Sequence, residues 1–274
     1  MRFKRRPRLR SSLLQHKERR RLRKFSVGRL VPNTITMASL CVSLSGVRFA
    51  LESHLEQAVA CILLAAIFDN LDGRLARLLK CSSYFGAELD SLADIISFGV
   101  SPALILYLSI LHRLGSFGWS VCLFFCVCCS LRLARFNTTS AVSSAFPWTT
   151  HFFTGVPAPA GALIALSPLA FSFCGVEALV TSPIFAAFVV TVAGFLKISR
   201  LPTFSLKKIS LPQRYVLPVL VLTSFIVICL VTAIWATLSA LTIAYILSIP
   251  YSCILHARFK RQSETTPVVK ELML

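Results

Sequence analysis

The 274-residue sequence predicts an all-α integral membrane protein, a bundle of about eight transmembrane helices with both termini on the cytoplasmic side. Three observations carry that prediction. Mean hydropathy is +0.73, with 55% hydrophobic and only 15% charged residues, a composition outside the range of soluble domains. Apolar runs long enough to cross a bilayer recur along the chain. The basic residues are asymmetric: 27 of 29 Lys and Arg fall on segments that an eight-span bundle places on one side, leaving only Arg48 and Arg113 on the other.

The first element, 1–29, is a basic arm holding thirteen Lys or Arg and one acid, Glu18. Blocks of like charge seek polyanions. Beside a hydrophobic span the partner it fits is anionic membrane lipid rather than nucleic acid, and the plainer alternative is a topology signal without a ligand. No small-residue cleavage site follows a short apolar region, so a secretory signal is not expected.

Apolar segments then follow at 30–51, 58–79, 85–111, 117–131, 155–173, 178–196, 216–235 and 238–255. The fourth is short and runs into Arg132-Leu-Ala-Arg135. Short connections predict antiparallel neighbours. A core over 30–210, two further spans over 211–256 and a polar cytoplasmic tail over 257–274 complete the organisation, with no separate soluble domain. No internal repeat is evident, which weakens a transporter built on duplicated halves. Ten cysteines are scattered, most within apolar runs and none at zinc spacing, and read as reduced packing residues.

All four aspartates of the chain lie within 26 residues: Asp69, Asp72, Asp90 and Asp94. At about 100° per residue Asp69, Asp72, Gly73 and Ala76 share a helix face flanked by Arg77, while Arg74 points away. Asp90 and Asp94 are one turn apart, and Ser97 and Ser101 extend their stripe. Glu88 falls on the opposite side. Two adjacent antiparallel helices therefore bring four carboxylates together at the cytoplasmic boundary, where mutual repulsion and burial oppose their joint ionisation. Two divalent cations of the Mg²⁺ or Mn²⁺ type would balance them and clamp a phosphoryl group. The bland alternative is helix-end aspartates in water beside a basic loop. A proton or cation pathway is the stronger rival, but it needs polar residues toward the far membrane face, and the distal halves of these segments are nearly all apolar.

The pattern D-x2-D-G-x2-A-R-x8-G-x3-D-x3-D, met by Asp69, Asp72, Gly73, Ala76, Arg77, Gly86, Asp90 and Asp94, resembles the signature of the CDP-alcohol phosphatidyltransferase family. The resemblance implies a six-helix catalytic core over 30–210 plus two helices. It implies transfer of a phosphatidyl group from a CDP-linked lipid to an alcohol with release of CMP. Asp69, Asp72 and Asp90 would hold one metal ion; Asp69, Asp90 and Asp94 would hold a second; Asp94 would also be the general base. Gly73, Arg77 and Ser83, with Asn33 and Thr36 at the start of the first span, would contact CDP-diacylglycerol. A homodimer in the cell (inner) membrane is expected on the same ground.

Four stretches, 88–103, 132–137, 155–160 and 199–207, are similar to the integral-membrane phosphatidylserine synthases of that family, which makes L-serine the expected acceptor. Its carboxylate needs a cationic partner, and Arg135 or Arg200 could supply one; both are equally readable as topology residues. Glycerol-3-phosphate or an inositol phosphate is the alternative acceptor, and a carboxylate-lined cation transporter the alternative class. Pro157 and Pro159 either open the fifth helix near the site or only start it.

Overall fold

The computed structural model describes residues 30–79, 83–142, 152–175, 182–199, 202–204 and 216–265. They are almost wholly helical. In order they form α1 (Leu30–Leu51), α2 (Leu55–Leu78), α3 (Tyr84–Ile95), a π-helical turn (Ile96–Val100), α4 (Ser101–Ser109), a 3₁₀ turn (Leu111–Leu114) and α5 (Ser116–Val142). After β1 (Phe152–Thr154) come α6 (Ala158–Ser172), α7 (Pro183–Ile198), β2 (Pro202–Phe204), α8 (Val216–Thr232) and α9 (Ile234–Thr265). The basic arm, Arg200 and the tail beyond Thr265 lie outside the described residues.

Among the described residues three helical stretches are long and apolar enough to cross a membrane: Leu30–Leu51, Tyr84–Ser109 and Ser116–Thr138. Four more are apolar but shorter, at Ala158–Ser172, Pro183–Ile198, Leu217–Thr232 and Ile234–Ile249. At 1.5 Å per residue a 15-residue helix covers only about 22 Å of a hydrocarbon layer of roughly 30 Å. With these apolar helices the chain is an almost wholly helical membrane protein.

Several predicted boundaries move. The fourth segment is 27 residues long, because the polar run at 132–137 ends the hydropathy signal but not the helix. The last helix continues to Thr265, past the predicted start of the tail. Pro157 caps α6 and Pro159 lies in its first turn, so both start that helix.

Lipid offers no hydrophobic drive between helices, so packing relies on small residues that let backbones approach. Between α1 and α2, Ser39 Oγ donates to Ala65 O at 2.9 Å, and a Cβ on Gly46 would lie 2.9 Å from Ala58 O. Helices α6 and α7 pack on each other, and Ala162 and Ala165 of the one and Ala186, Val190 and Ala193 of the other are all buried. Larger apolar side chains such as Ile67, Phe188, Phe195 and Leu220 point outward.

The π turn has a specific cause. In an α-helix the N–H of residue 102 would bond to Phe98 O, but Pro102 has none. Ser101 N–H instead reaches back to Ile96 O, and Phe98 O accepts from Lys197 Nζ on α7 at 2.8 Å. Lys197 is fully buried, with its ammonium 3.9 Å above the Phe125 ring. On the next face of the turn, Gly99 lies against Cys129, and Cys126 Sγ points at Gly99 O, 3.6 Å away. The cysteines of α5 therefore pack as small soft residues, and all those described are free thiols.

Gly161 leaves the channel for the lysine stem, since a Cβ there would collide with Lys197 Cε. Gly161→Ala is expected to destabilise by roughly 1–3 kcal/mol, the usual scale of overpacking. Thermal unfolding in detergent should show a lower midpoint than wild type. An unchanged midpoint would mean that Lys197 does not need that channel.

At one end of the bundle β1 pairs with β2 antiparallel, Phe153 opposite Thr203, tying the entry of α6 to the exit of α7. Gly155 makes the crossing with φ +87°, a value costly for other residues, and a Cβ would fall 2.8 Å from Ser199 O.

Candidate active site

Helices α2 and α3 supply the carboxylates. One oxygen from each of Asp69, Asp72 and Asp90 can be placed so that all lie within 4.8 Å of one another. Asp94, one turn beyond Asp90, lies within hydrogen-bonding reach of Asp69. The four aspartates read from helical spacing are therefore one cluster. Glu88 is exposed and outside it, as its position on α3 predicts.

Helix α1 orients the cluster. Thr36 Oγ1 donates to Asp72 Oδ2 at 2.6 Å, and Asp72 is only 4% exposed. The same hydroxyl lies 3.1 Å from Pro32 O, which fixes its rotamer. Residues that orient a ligating carboxylate typically matter 10- to 100-fold for metal affinity. Thr36→Val is accordingly expected to raise the Mn²⁺ concentration for half-maximal activity by about 10-fold or more. A metal titration of both proteins checks this, and superimposable curves would refute it.

The start of α3 is built on glycine. Ser83 caps the helix, its Oγ accepting from Gly86 N at 3.0 Å. A Cβ on Gly86 would fall 2.8 Å from Asn33 Oδ1 and 3.1 Å from Ser83 Oγ. Asn33, Ser83 and Gly86 thus form one contact between α1 and α3. Gly73 is the opposite case: a Cβ there would meet nothing within 4 Å, so its face of α2 is open. Arg77 is exposed and folds back, its Nε donating to Gly73 O at 2.9 Å.

The polar stripe beyond Asp94 is short. Ser97 Oγ pairs with Ser43 Oγ at 2.9 Å, and Ser101 Oγ is buried with no partner. Beyond them α4 buries apolar residues such as Ile105 and Leu106.

Of the two arginines expected to meet an acceptor carboxylate, Arg200 is outside the described residues, and Arg135 is engaged elsewhere. Arg135 Nη1 donates to Ile198 O at 2.7 Å and Nη2 to Ser199 O at 3.3 Å, capping the last carbonyls of α7. Two residues not singled out from the sequence lie nearby instead. Asn137 Nδ2 donates to Ser91 Oγ at 3.0 Å, tying α5 to the turn that carries Asp90. Arg132, one turn before Arg135, has its charge acting on both Asp69 and Asp94. The Arg132-Leu-Ala-Arg135 run signals both arginines, but spacing alone does not choose between them.

Among the described residues all donors in the cluster are carboxylate oxygens, and a set of that kind suits a hard divalent cation. An acidic triad of this geometry can hold one.

Residues 29–193 match the sequence model of the family described as CDP-alcohol phosphatidyltransferase, and residues 214–250 match one described as CDP-alcohol phosphatidyltransferase 2. The chain is 39% identical over 223 residues to a CDP-diacylglycerol–serine O-phosphatidyltransferase of Mycobacterium tuberculosis (strain H37Rv), covering 81% of this chain and 78% of the relative. Proteins of the same name from Helicobacter pylori (strain 26695) and Saccharomyces cerevisiae are 39% identical over 139 residues and 43% over 108. Those matches cover 50% and 39% of this chain, and 56% and 38% of the relatives.

Proposed function

The chain belongs to the CDP-alcohol phosphatidyltransferase family, and on that premise we propose that it makes phosphatidylserine, transferring the phosphatidyl group of CDP-diacylglycerol to the hydroxyl of L-serine with release of CMP. The observation that carries this reading is the convergence of Asp69, Asp72 and Asp90 within 4.8 Å on two membrane helices, with Asp94 beside Asp69. A lipid-linked diphosphate and a small polar alcohol need such a site at a membrane boundary.

In the proposed reaction the serine hydroxyl oxygen bonds to the lipid-side phosphorus. The bond from that phosphorus to the CMP phosphate oxygen breaks, and the hydroxyl proton passes to Asp94. Asp69, Asp72 and Asp90 would hold one Mg²⁺ or Mn²⁺, and Asp69, Asp90 and Asp94 a second. Bound there, the ions would neutralise the diphosphate and stabilise the leaving CMP. The nucleotide diphosphate would lie along the open face at Gly73, with Arg77, Asn33, Thr36 and Ser83 around it. Arg77 offers a planar fork for phosphate oxygens.

The distribution of Lys and Arg supports eight spans with cytoplasmic termini and a cytoplasmic site, and the family supports a place in the cell membrane. Under that arrangement the basic arm would lie on anionic lipid, and a homodimer is expected from the family. The acceptor is tested by giving the purified protein CDP-diacylglycerol and Mn²⁺ with single alcohols. Serine should drive CMP release, while glycerol-3-phosphate and an inositol phosphate should not exceed the rate without acceptor. Serine-independent turnover with glycerol-3-phosphate would refute the choice.

A further inference from the structure

Among the described residues three side-chain polar atoms are shielded from solvent and have no hydrogen-bond partner: Ser101 Oγ on α4, Arg132 Nε on α5 and the Tyr245 hydroxyl on α9. A shielded donor without a partner is destabilising, so each one in a folded protein needs a reason. The arginine and the tyrosine belong together. The Arg132 charge acts on Tyr245 and also on Asp69 and Asp94. Yet among the described residues the ion pairs are those of Glu52 with Arg48 and His54, so no carboxylate of the cluster closes on the guanidinium. Arg132 thus stands beside the carboxylates without pairing with them.

The neighbouring cations are occupied. Arg135 caps α7, and Lys197 bonds to Phe98 O. Among the described residues Arg132 is the interior cation left for a ligand that turns an anionic group toward it and a hydroxyl toward Asp94. A carboxylate suits a guanidinium through paired N–H···O bonds, and a neutral hydroxyl can donate a further one. One arginine and one phenol match a monoanion better than a phosphate dianion.

We propose that Arg132 and Tyr245 bind the carboxylate of the acceptor amino acid, so that α9, the last helix described, contributes directly to the acceptor pocket. This rests on the phosphatidyl-transfer reading for the identity of the acceptor. It gives α9 a role beyond packing on α6 and β2, and it moves the carboxylate contact from Arg135 to the arginine one turn earlier.

The test is the initial rate of CMP release by purified wild type, Arg132→Gln, Arg132→Lys and Tyr245→Phe, with serine and CDP-diacylglycerol varied separately. Arg132→Gln should raise the KM for serine by at least ~30-fold, the scale of a lost charge-paired contact. Arg132→Lys should fall between it and wild type. Tyr245→Phe, which removes a single oxygen, should raise it about 5-fold. The KM for CDP-diacylglycerol should stay within about twofold throughout. An unchanged serine KM in Arg132→Lys and Tyr245→Phe, or an equal rise in both KM values, overturns the pocket and leaves phosphatidyl transfer standing. Absence of serine turnover by the wild type overturns both.

Discussion

Asp94→Asn is expected to lower serine-dependent CMP release by about 10²- to 10⁴-fold, the range a positioned general base contributes. The amide is nearly isosteric with the carboxylate, so the helix should be undisturbed, but it cannot accept the serine proton. The KM for CDP-diacylglycerol should change less than kcat, because the metal position assigned to Asp69, Asp72 and Asp90 and the contacts at Gly73 and Arg77 remain for the lipid's diphosphate. The position supports a narrow role: Asp94 lies beside Asp69, one turn from Asp90, and within reach of the unpaired Arg132 charge. Initial rates with both substrates varied separate the effects, and a kcat within about tenfold of wild type would take the proton away from Asp94.

Asp69→Asn should be more severe. Asp69 belongs to the 4.8 Å triad and also reaches Asp94, which supports the proposal that it serves both metal positions. Losing it removes charge from the whole site, and a bound ion supplies several kcal/mol of charge stabilisation in the transition state. The expected loss is at least ~10³-fold, not recovered by raising Mn²⁺. Calorimetric titration should show weaker Mn²⁺ binding in parallel. Glu88→Gln, an exposed carboxylate on the other side of α3, is the matched control and should stay within about twofold of wild type. Equal losses in the two variants would mean that charge in this region matters only in sum.

The cluster was legible in the sequence because helical spacing is a strong constraint. Asp69 and Asp72 on one helix, and Asp90 and Asp94 on the next, need only an antiparallel turn to meet. Hydropathy located the helices but not their ends: α5 continues through Arg132 and Arg135, whose charge ends the apolar signal while their helical propensity does not end the helix. Contacts between distant segments were not legible. That Pro102 leaves Phe98 O to be met by Lys197, 99 residues later, depends on how α7 crosses the π turn. Lys197 counts in the sequence only toward the topology asymmetry. Arg135, offered from the sequence together with Arg200, turns its fork to the carbonyls that end α7, a contact that spacing alone does not show. Tyr245 gave no local signal, since an aromatic residue in an apolar helix is ordinary until its hydroxyl is found shielded and unpaired.

Serine carrying ¹⁸O in its side-chain hydroxyl, given with CDP-diacylglycerol and Mn²⁺ to the purified protein, tests the central claim most directly. Phosphatidylserine that retains the label, formed in equal amount with unlabelled CMP, is the result predicted for attack of the serine hydroxyl on the lipid-side phosphorus. CMP released without serine, label appearing in CMP, or the absence of labelled phosphatidylserine would contradict it.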